Sequence, residues 1–436
     1  MQVPSWIVRA AARRPHHEAL VGVSYRQLLA AVDDTAGRLW RLGARPGERV
    51  VLALPPGERF VVVLHALLRI GAIAVPLDPA LPAAERERRG ATAILAVDAT
   101  TDLATTVPDP AVRRLDHHDL DATAIVVHTS GTSGAAKPIP LTYGNWLWSA
   151  LGSATALGCP PQERWLCALP LNHVGGLSVL MRSAIAATTA VVHERWDGER
   201  VLDALHGRDA AAGPITVVSL VPTTLRRLLD AGLRGGPDGA ASLRWVLLGG
   251  AAIPAGLLED AARAGVPVAP TYGMSEACSQ IATLGSPLFC TTVATAPDGE
   301  LLVRGPTVSA AAVGDDGWLR TGDLGAIDER GHLRVTGRKA DTIISGGENV
   351  LPLEVERVIE ADPAVAEAAV FGRPDREWGE RVCAKLVAAP GTTLDVDALR
   401  ERLAAQLARH QRPREIEIVD ALPRTTSGKL LRRALG

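Results

Sequence analysis

The sequence predicts an α/β protein: a large N-terminal domain of doubly wound sheets with a β-rich subdomain, then a small α+β C-terminal domain. Three observations carry this. Helical apolar spacing alternates with short apolar runs over the first three-quarters of the 436 residues. Near residue 300 the pattern changes to hairpin-like segments with Gly and Asp turns. Beyond residue 340 a shorter series of two helices and three strands follows.

The elements follow in order. "YRQLLAAVDDTAGRLWRLG" has apolar residues at helical spacing and stops at Gly43, which predicts a helix. "RVVLALP" reads as a buried strand, "RFVVVLHALLRIG" as a helix and "AIAVPLD" as another strand. "TAIVVH", "WLCALPL", "AVVHE", "TVVSLVP", "LRWVLLGG" and "VPVAPTYG" continue the alternation, which implies parallel strands joined by helices. "GELLVRG" and "GWLRTGDLGAIDERGHLRVTGR" read as β-hairpins. After them "LPLEVERVIEAD" and "VDALRERLAAQLARH" read as helices, and "VAEAAVFG", "ERVCAKLVAA" and "REIEIVD" as strands. The boundary falls at Arg338–Asp341, giving domains of residues 1–338 and 339–436.

Composition excludes several classes. The chain is 47% hydrophobic and 22% charged, as in a soluble globular enzyme, and its net charge of −2 offers no basic field for nucleic acid or anionic membrane. The first twenty residues lack a signal peptide's apolar stretch, and charge at Arg69 and Arg182 interrupts the longest apolar runs. Five cysteines without a C-x-x-C pair support neither a disulfide framework nor a zinc site, so the cytoplasm is the expected compartment. Only four of the 46 basic residues are lysines (Lys137, Lys339, Lys385 and Lys429). Where arginine is the default cation, a retained lysine suggests the need for a compact point charge.

After the strand "TAIVVH" come Thr129, Ser130, Gly131, Thr132, Ser133 and Gly134, then Lys137. Glycines let backbone N–H groups converge on an anion, hydroxyls add donors and the lysine adds charge. The Walker A motif fails, because Ala136 precedes Lys137 and Pro138 follows it. A solvated Ser/Gly turn is the plain alternative. Four further stretches stand out: "LLGGAAIP", "TYGMSEACSQ", "GWLRTGDLG" with "VTGRKAD", and "PRTTSGKLLRRAL".

Together, in this order over about residues 20 to 436, these stretches resemble the stations of the adenylate-forming enzymes: acyl-CoA synthetases, non-ribosomal adenylation domains and luciferases. The loop matches that family's T-S-G-T-T/S-G-x-x-K pattern. The resemblance implies that Thr129 to Gly134 and Lys137 hold the ATP phosphates. It places Gly249, Gly250 and Ala251 beside the adenine and Tyr272 stacked on it, followed by Gly273, Met274 and Ser275. Glu276 would hold Mg²⁺, Asp323 would accept from the ribose hydroxyls, and Arg338 would lie near the ribose and the hinge. Lys429 would be the catalytic lysine. The C-terminal domain is implied to be a mobile lid whose rotation brings Gly346 and Gly347 of "ISGGENV" to a CoA tunnel. Two departures are visible: the chain is short around residues 285 to 315, and Ala340 stands where a hinge Asp or Lys is usual.

The implied reaction has two steps, attack of a carboxylate on ATP to give an acyl-adenylate and displacement of AMP by a thiol. "LPLNHVGGLSVLMRS" and "TYGMSEACSQIATL" are similar to the o-succinylbenzoate–CoA ligases of menaquinone synthesis, which are also short. A substrate with two carboxylates and a ketone wants cationic and hydroxyl donors, for which His173, Ser178, Arg182, Thr223 and Arg226 are available. The implied partners are a small carboxylic acid, ATP, CoA and Mg²⁺, with a homodimer left open. Another reading is an adenylation enzyme that activates a different aryl or fatty acid for CoA or for a carrier protein met in trans. A hydrolase is disfavoured because Gly273–Ala277 lacks the second glycine of G-x-S-x-G. A binding protein on a decayed scaffold is disfavoured because Lys137, Glu276, Asp323 and Lys429 are all present.

Overall fold

The structure, a computed structural model, describes residues 1–129, 136–254, 256–425 and 430–436. Among them, two mixed sheets form the N-terminal body. One has five strands in the order Leu95–Asp98, Arg49–Ala53, Ile73–Pro76, Thr123–Thr129 and Lys137–Thr142. The other has nine, and its centre runs Val268–Met274, Trp245–Leu248, Val217–Leu220, Arg164–Cys167 and Thr189–Val192, all parallel. Central strands such as Thr123–Thr129 are buried on both faces, which explains their unbroken apolar runs. The helix Glu58–Ile70 is buried from Phe60 to Ile70, so its sequence is apolar all round rather than striped.

The sheets are mixed where the sequence implied parallel strands alone. Lys137–Thr142 pairs antiparallel with Thr123–Thr129, and Ser279–Thr283 pairs antiparallel with Val268–Met274. Pro138 and Pro140 cannot donate to a ladder, which masked the first of these strands. It is an edge strand, where proline is tolerated. The expected helix from Val396 is also shorter than its pattern. It ends at Gln406, because Leu407 leaves helical conformation with ψ 141°.

Thr292–Thr295, Glu300–Arg304, Leu319–Ile327 and Leu333–Arg338 form a four-stranded antiparallel sheet. Residues from Ile343 onward form a five-stranded sheet with the helices Pro352–Glu360 and Val396–Gln406, around apolar clusters drawn from those residues alone.

Candidate active site

Thr129 lies opposite Lys137 in the antiparallel register, so the two ends of the glycine-rich segment are held side by side. Ser130, Gly131, Thr132, Ser133 and Gly134 lie outside the described residues. Lys137 is exposed at the start of its strand. The following helix, Tyr143–Leu157, begins with a capping box between Thr142 and Asn145. The Asn145 side-chain amide then donates to the carbonyls of Pro306 and Val308, at 2.9 and 3.1 Å.

Gly249, Gly250 and Ala251 follow the strand Trp245–Leu248, whose parallel neighbour carries Thr271, Tyr272, Gly273 and Met274. Both stations thus occupy the carboxyl edge of adjacent strands, where open α/β sheets bind ligands. A Cβ on Gly273 would lie 1.7 Å from the Ser279 carbonyl oxygen, so the bulge between Tyr272 and Gly273 requires glycine.

Ser275–Ala277 forms one 3₁₀ turn, and beyond it Cys278 and Ser279 hold left-handed φ of 51° and 93°. Such conformations cost about 1–3 kcal/mol each and persist only where neighbours over-determine them. Here the Ser309 N–H donates to the Glu276 carbonyl at 2.8 Å and the Ser149 hydroxyl to the Cys278 carbonyl at 2.7 Å. The Glu276 side chain makes no ion pair with the described residues. No group of three or more metal-ligating side chains occurs among the described residues. One carboxylate completed by substrate phosphates suits Mg²⁺.

The structure brings Tyr272, Asp323 and Arg338 together. The Tyr272 hydroxyl donates to Asp323 Oδ2 at 2.7 Å, and Arg338 Nε lies 2.7 Å from Oδ1. Asp323 is 5% exposed, and its strand partner is Arg338 itself. Burial, then the adjacent Asp323 carboxylate, pushes the Tyr272 hydroxyl pKa up, so it remains a donor. A carboxylate has about four acceptor positions, so Asp323 can still accept from ribose hydroxyls. The hydrogen bond from Tyr272 is absent from the sequence reading.

The acid-pocket residues are only partly assembled. His173 precedes the helix Val174–Ala186 and accepts at its carbonyl from the Leu177 N–H. Ser178, one turn on, is buried, and its hydroxyl has no protein partner among the described residues. Arg182 is buried beneath it, Nη2 3.4 Å from the hydroxyls of both Ser149 and Ser279, and burial pushes its pKa down to about 10. It lines a cavity of about 330 Å³ with Trp165, Glu163 and Ser153. Thr223 is half-buried in the helix Pro222–Asp230. Arg226, on the same helix, pairs with Asp260 at 2.5 Å.

Lys429 lies outside the described residues. Arg424 and Leu430 pair as an antiparallel bridge and draw together the ends of its segment. Gly346 and Gly347 form the left-handed turn between Ile343–Ser345 and Glu348–Val350. A cleft missed in the sequence lies beside the Lys137 strand, lined by Arg49, Arg88, Arg89 and His128. Its only sequence signal was the charge run "ERERR", which reads as a solvated helix face.

A family model described as AMP-binding enzyme matches residues 7–311, and one described as AMP-binding enzyme C-terminal domain matches residues 354–429. The chain is 36% identical over 489 aligned positions to the 2-succinylbenzoate–CoA ligase of Bacillus licheniformis, covering 100% of both chains. It is also similar to the o-succinylbenzoate CoA synthetase of Bacillus subtilis in complex with the acyl-adenylate intermediate OSB-AMP. There the TM-score is 0.88 at 34% identity, over 100% of this chain and 98% of that one. A double mutant of that synthetase bound to the product analogue OSB-NCoA gives a TM-score of 0.73 at the same identity and coverage. The nucleotide-site geometry and these full-length matches lead to one conclusion: the chain belongs to the AMP-binding enzyme family.

Proposed function

We propose that this protein is an AMP-forming ligase that joins 2-succinylbenzoate to CoA in the cytoplasm. The observation that carries the reading is full-length identity of 36% to a ligase of that name, in a chain that brings Tyr272 of the nine-stranded sheet against Asp323 and Arg338 of the four-stranded sheet. In the first step a carboxylate oxygen bonds to the α-phosphorus and pyrophosphate leaves. In the second the CoA sulfur bonds to the acyl carbon, AMP leaves and the thiol proton passes to solvent.

The residues divide the work between binding and charge neutralisation. Asp323 and Arg338 hold the ribose, the Tyr272 ring covers the adenine, and residues Thr129 to Gly134 with Lys137 take the β- and γ-phosphates. Mg²⁺, held by Glu276, would offset phosphate charge. His173, Ser178, Arg182 and Thr223 line the acid side, where the buried Arg182 guanidinium suits the second carboxylate. The arginine-lined cleft beside Lys137 suits the phosphates of CoA. We assign residues 1–338 to the adenylation domain and 339–436 to a lid that carries Lys429. The lid turns between two orientations, one for each step. The difference in TM-score between the adenylate and product-analogue complexes, 0.88 against 0.73, supports two orientations in this family.

The test is direct. Protein supplied with ATP, Mg²⁺ and CoA is given a panel of carboxylic acids, and both pyrophosphate and CoA thioester are measured. Turnover with 2-succinylbenzoate above every other acid is expected. Pyrophosphate release with another acid and none with 2-succinylbenzoate would overturn the substrate, and release without thioester would overturn CoA as acceptor.

A further inference from the structure

The chain crosses from the four-stranded sheet to the C-terminal unit through the 3₁₀ turn Lys339–Asp341. The two charged residues of that turn face opposite ways. Lys339 Nζ lies 2.6 Å from Asp298 Oδ2 and 3.3 Å from Glu300 Oε2, so it is fastened to the sheet before the turn. Glu300 is 5% exposed, and its other oxygen accepts from the Gly322 N–H at 2.9 Å, next to Asp323. Asp341 is fastened to the other side, Oδ2 lying 3.1 Å from Arg432 Nε. Arg432 is itself held by both oxygens of the buried Glu356, at 2.6 and 2.9 Å, and by the Val370 carbonyl.

Between these anchors lies one exposed residue, Ala340. Its methyl group cannot hydrogen-bond to either unit. With Ala340 as the pivot, so that Lys339 moves with the sheet before it and Asp341 with the lid, each ion pair is internal to one side and neither need break when the units turn. In contrast, the bond from Arg357 Nη2 to the Val335 carbonyl, 3.1 Å, runs from one unit to the other and must open.

We propose that Lys339 and Asp341 are positioning residues that confine the turning motion to Ala340, Lys339 through Asp298 and Glu300, Asp341 through Arg432. This rests on the two-orientation reading above. Each residue outside the anchors would add two soft dihedrals to the pivot. With one more residue released, the productive orientation would fill on the order of one tenth of its former share of the ensemble, and both half-reactions would slow in that proportion. The pairs touch no substrate, so saturating ATP would not restore the rates by new contacts, and any loss of ATP affinity would be no larger than the loss of the productive orientation.

Interdomain distance distributions test this, with an encoded label pair at the exposed Glu259 and Arg409. Wild type should give one narrow distance with ATP and Mg²⁺ and a different narrow one with CoA and AMP. Lys339→Met and Asp341→Asn should broaden both and slow pyrophosphate release and thioester formation together, measured at saturating ATP. Lys339→Arg should restore narrow distributions. Variants that melt earlier but keep narrow distances would overturn the clamp and leave a purely structural role. A single wild-type distance under every ligand would overturn the two-orientation cycle, and the clamp with it.

Discussion

Tyr272→Phe removes one oxygen and keeps the ring that would cover the adenine. The lost hydroxyl donates to Asp323 Oδ2 at 2.7 Å and leaves that buried carboxylate with Arg338 as its ion partner. A hydrogen bond to a charged acceptor contributes about 1.5–3 kcal/mol, which is about 10- to 150-fold in an equilibrium constant. Asp323 would hold the ribose alike in ground and transition states, so the loss should appear as a raised KM for ATP at nearly constant kcat. The assay is continuous pyrophosphate release with ATP varied at saturating acid and CoA. Asp323→Asn should cost more, because it also removes the partner of Arg338. The double variant should fall short of the sum of the singles by about 0.5–3 kcal/mol, since the two groups share one bond. A folded Tyr272→Phe protein with unchanged KM for ATP would refute the view that this bond orients the Asp323 carboxylate toward the ribose.

Gly273→Ala should disrupt the site from the backbone outward, because its Cβ would meet the Ser279 carbonyl at 1.7 Å. Separating the two strands should cost at least about 1–3 kcal/mol, read as a lower urea midpoint together with lost ATP binding. His65 and His118 are buried, and burial pushes their pKa down from 6.5 to about 4 and about 3. The unfolded chain therefore binds their protons first, so their stabilisation is complete above pH 6.5 and is lost as pH falls toward the folded values. Each such group adds a slope of up to about 1.4 kcal/mol per pH unit, measurable by urea titrations across that window, and His65→Leu should remove its share. Lys429→Ala should slow pyrophosphate release by about two to three decades, the loss of about 3–4 kcal/mol of charge stabilisation. It should still turn synthetic acyl-adenylate plus CoA into thioester, and equal loss of both steps would make the lysine structural.

Much of the fold was legible because its signals are local. The buried strands around Val50, Val126 and Val218 and the helix from Tyr25 to Arg41 follow from periodicity within a dozen residues. The site stations were legible for the same reason. A glycine turn, a run of hydroxyls or a Gly-Lys near the end of the chain needs no partner to be recognised. The edge strands were harder to read, since Lys137–Thr142 contains two prolines and pairs only because Thr123–Thr129 lies beside it.

By itself, then, the sequence determined the α/β class, the order of the stations and the residue types at each of them. The tertiary structure decided which of those groups touch. Asp323 meets Tyr272 from 51 positions away, and Lys339 reaches Asp298 and Glu300 across 41 and 39. It also decided that Arg226 turns to Asp260 and that Cys278 and Ser279 take left-handed conformations. Residue spacing encodes a local period, whereas a hydrogen bond between distant strands depends on register and twist, which only the packed sheets establish.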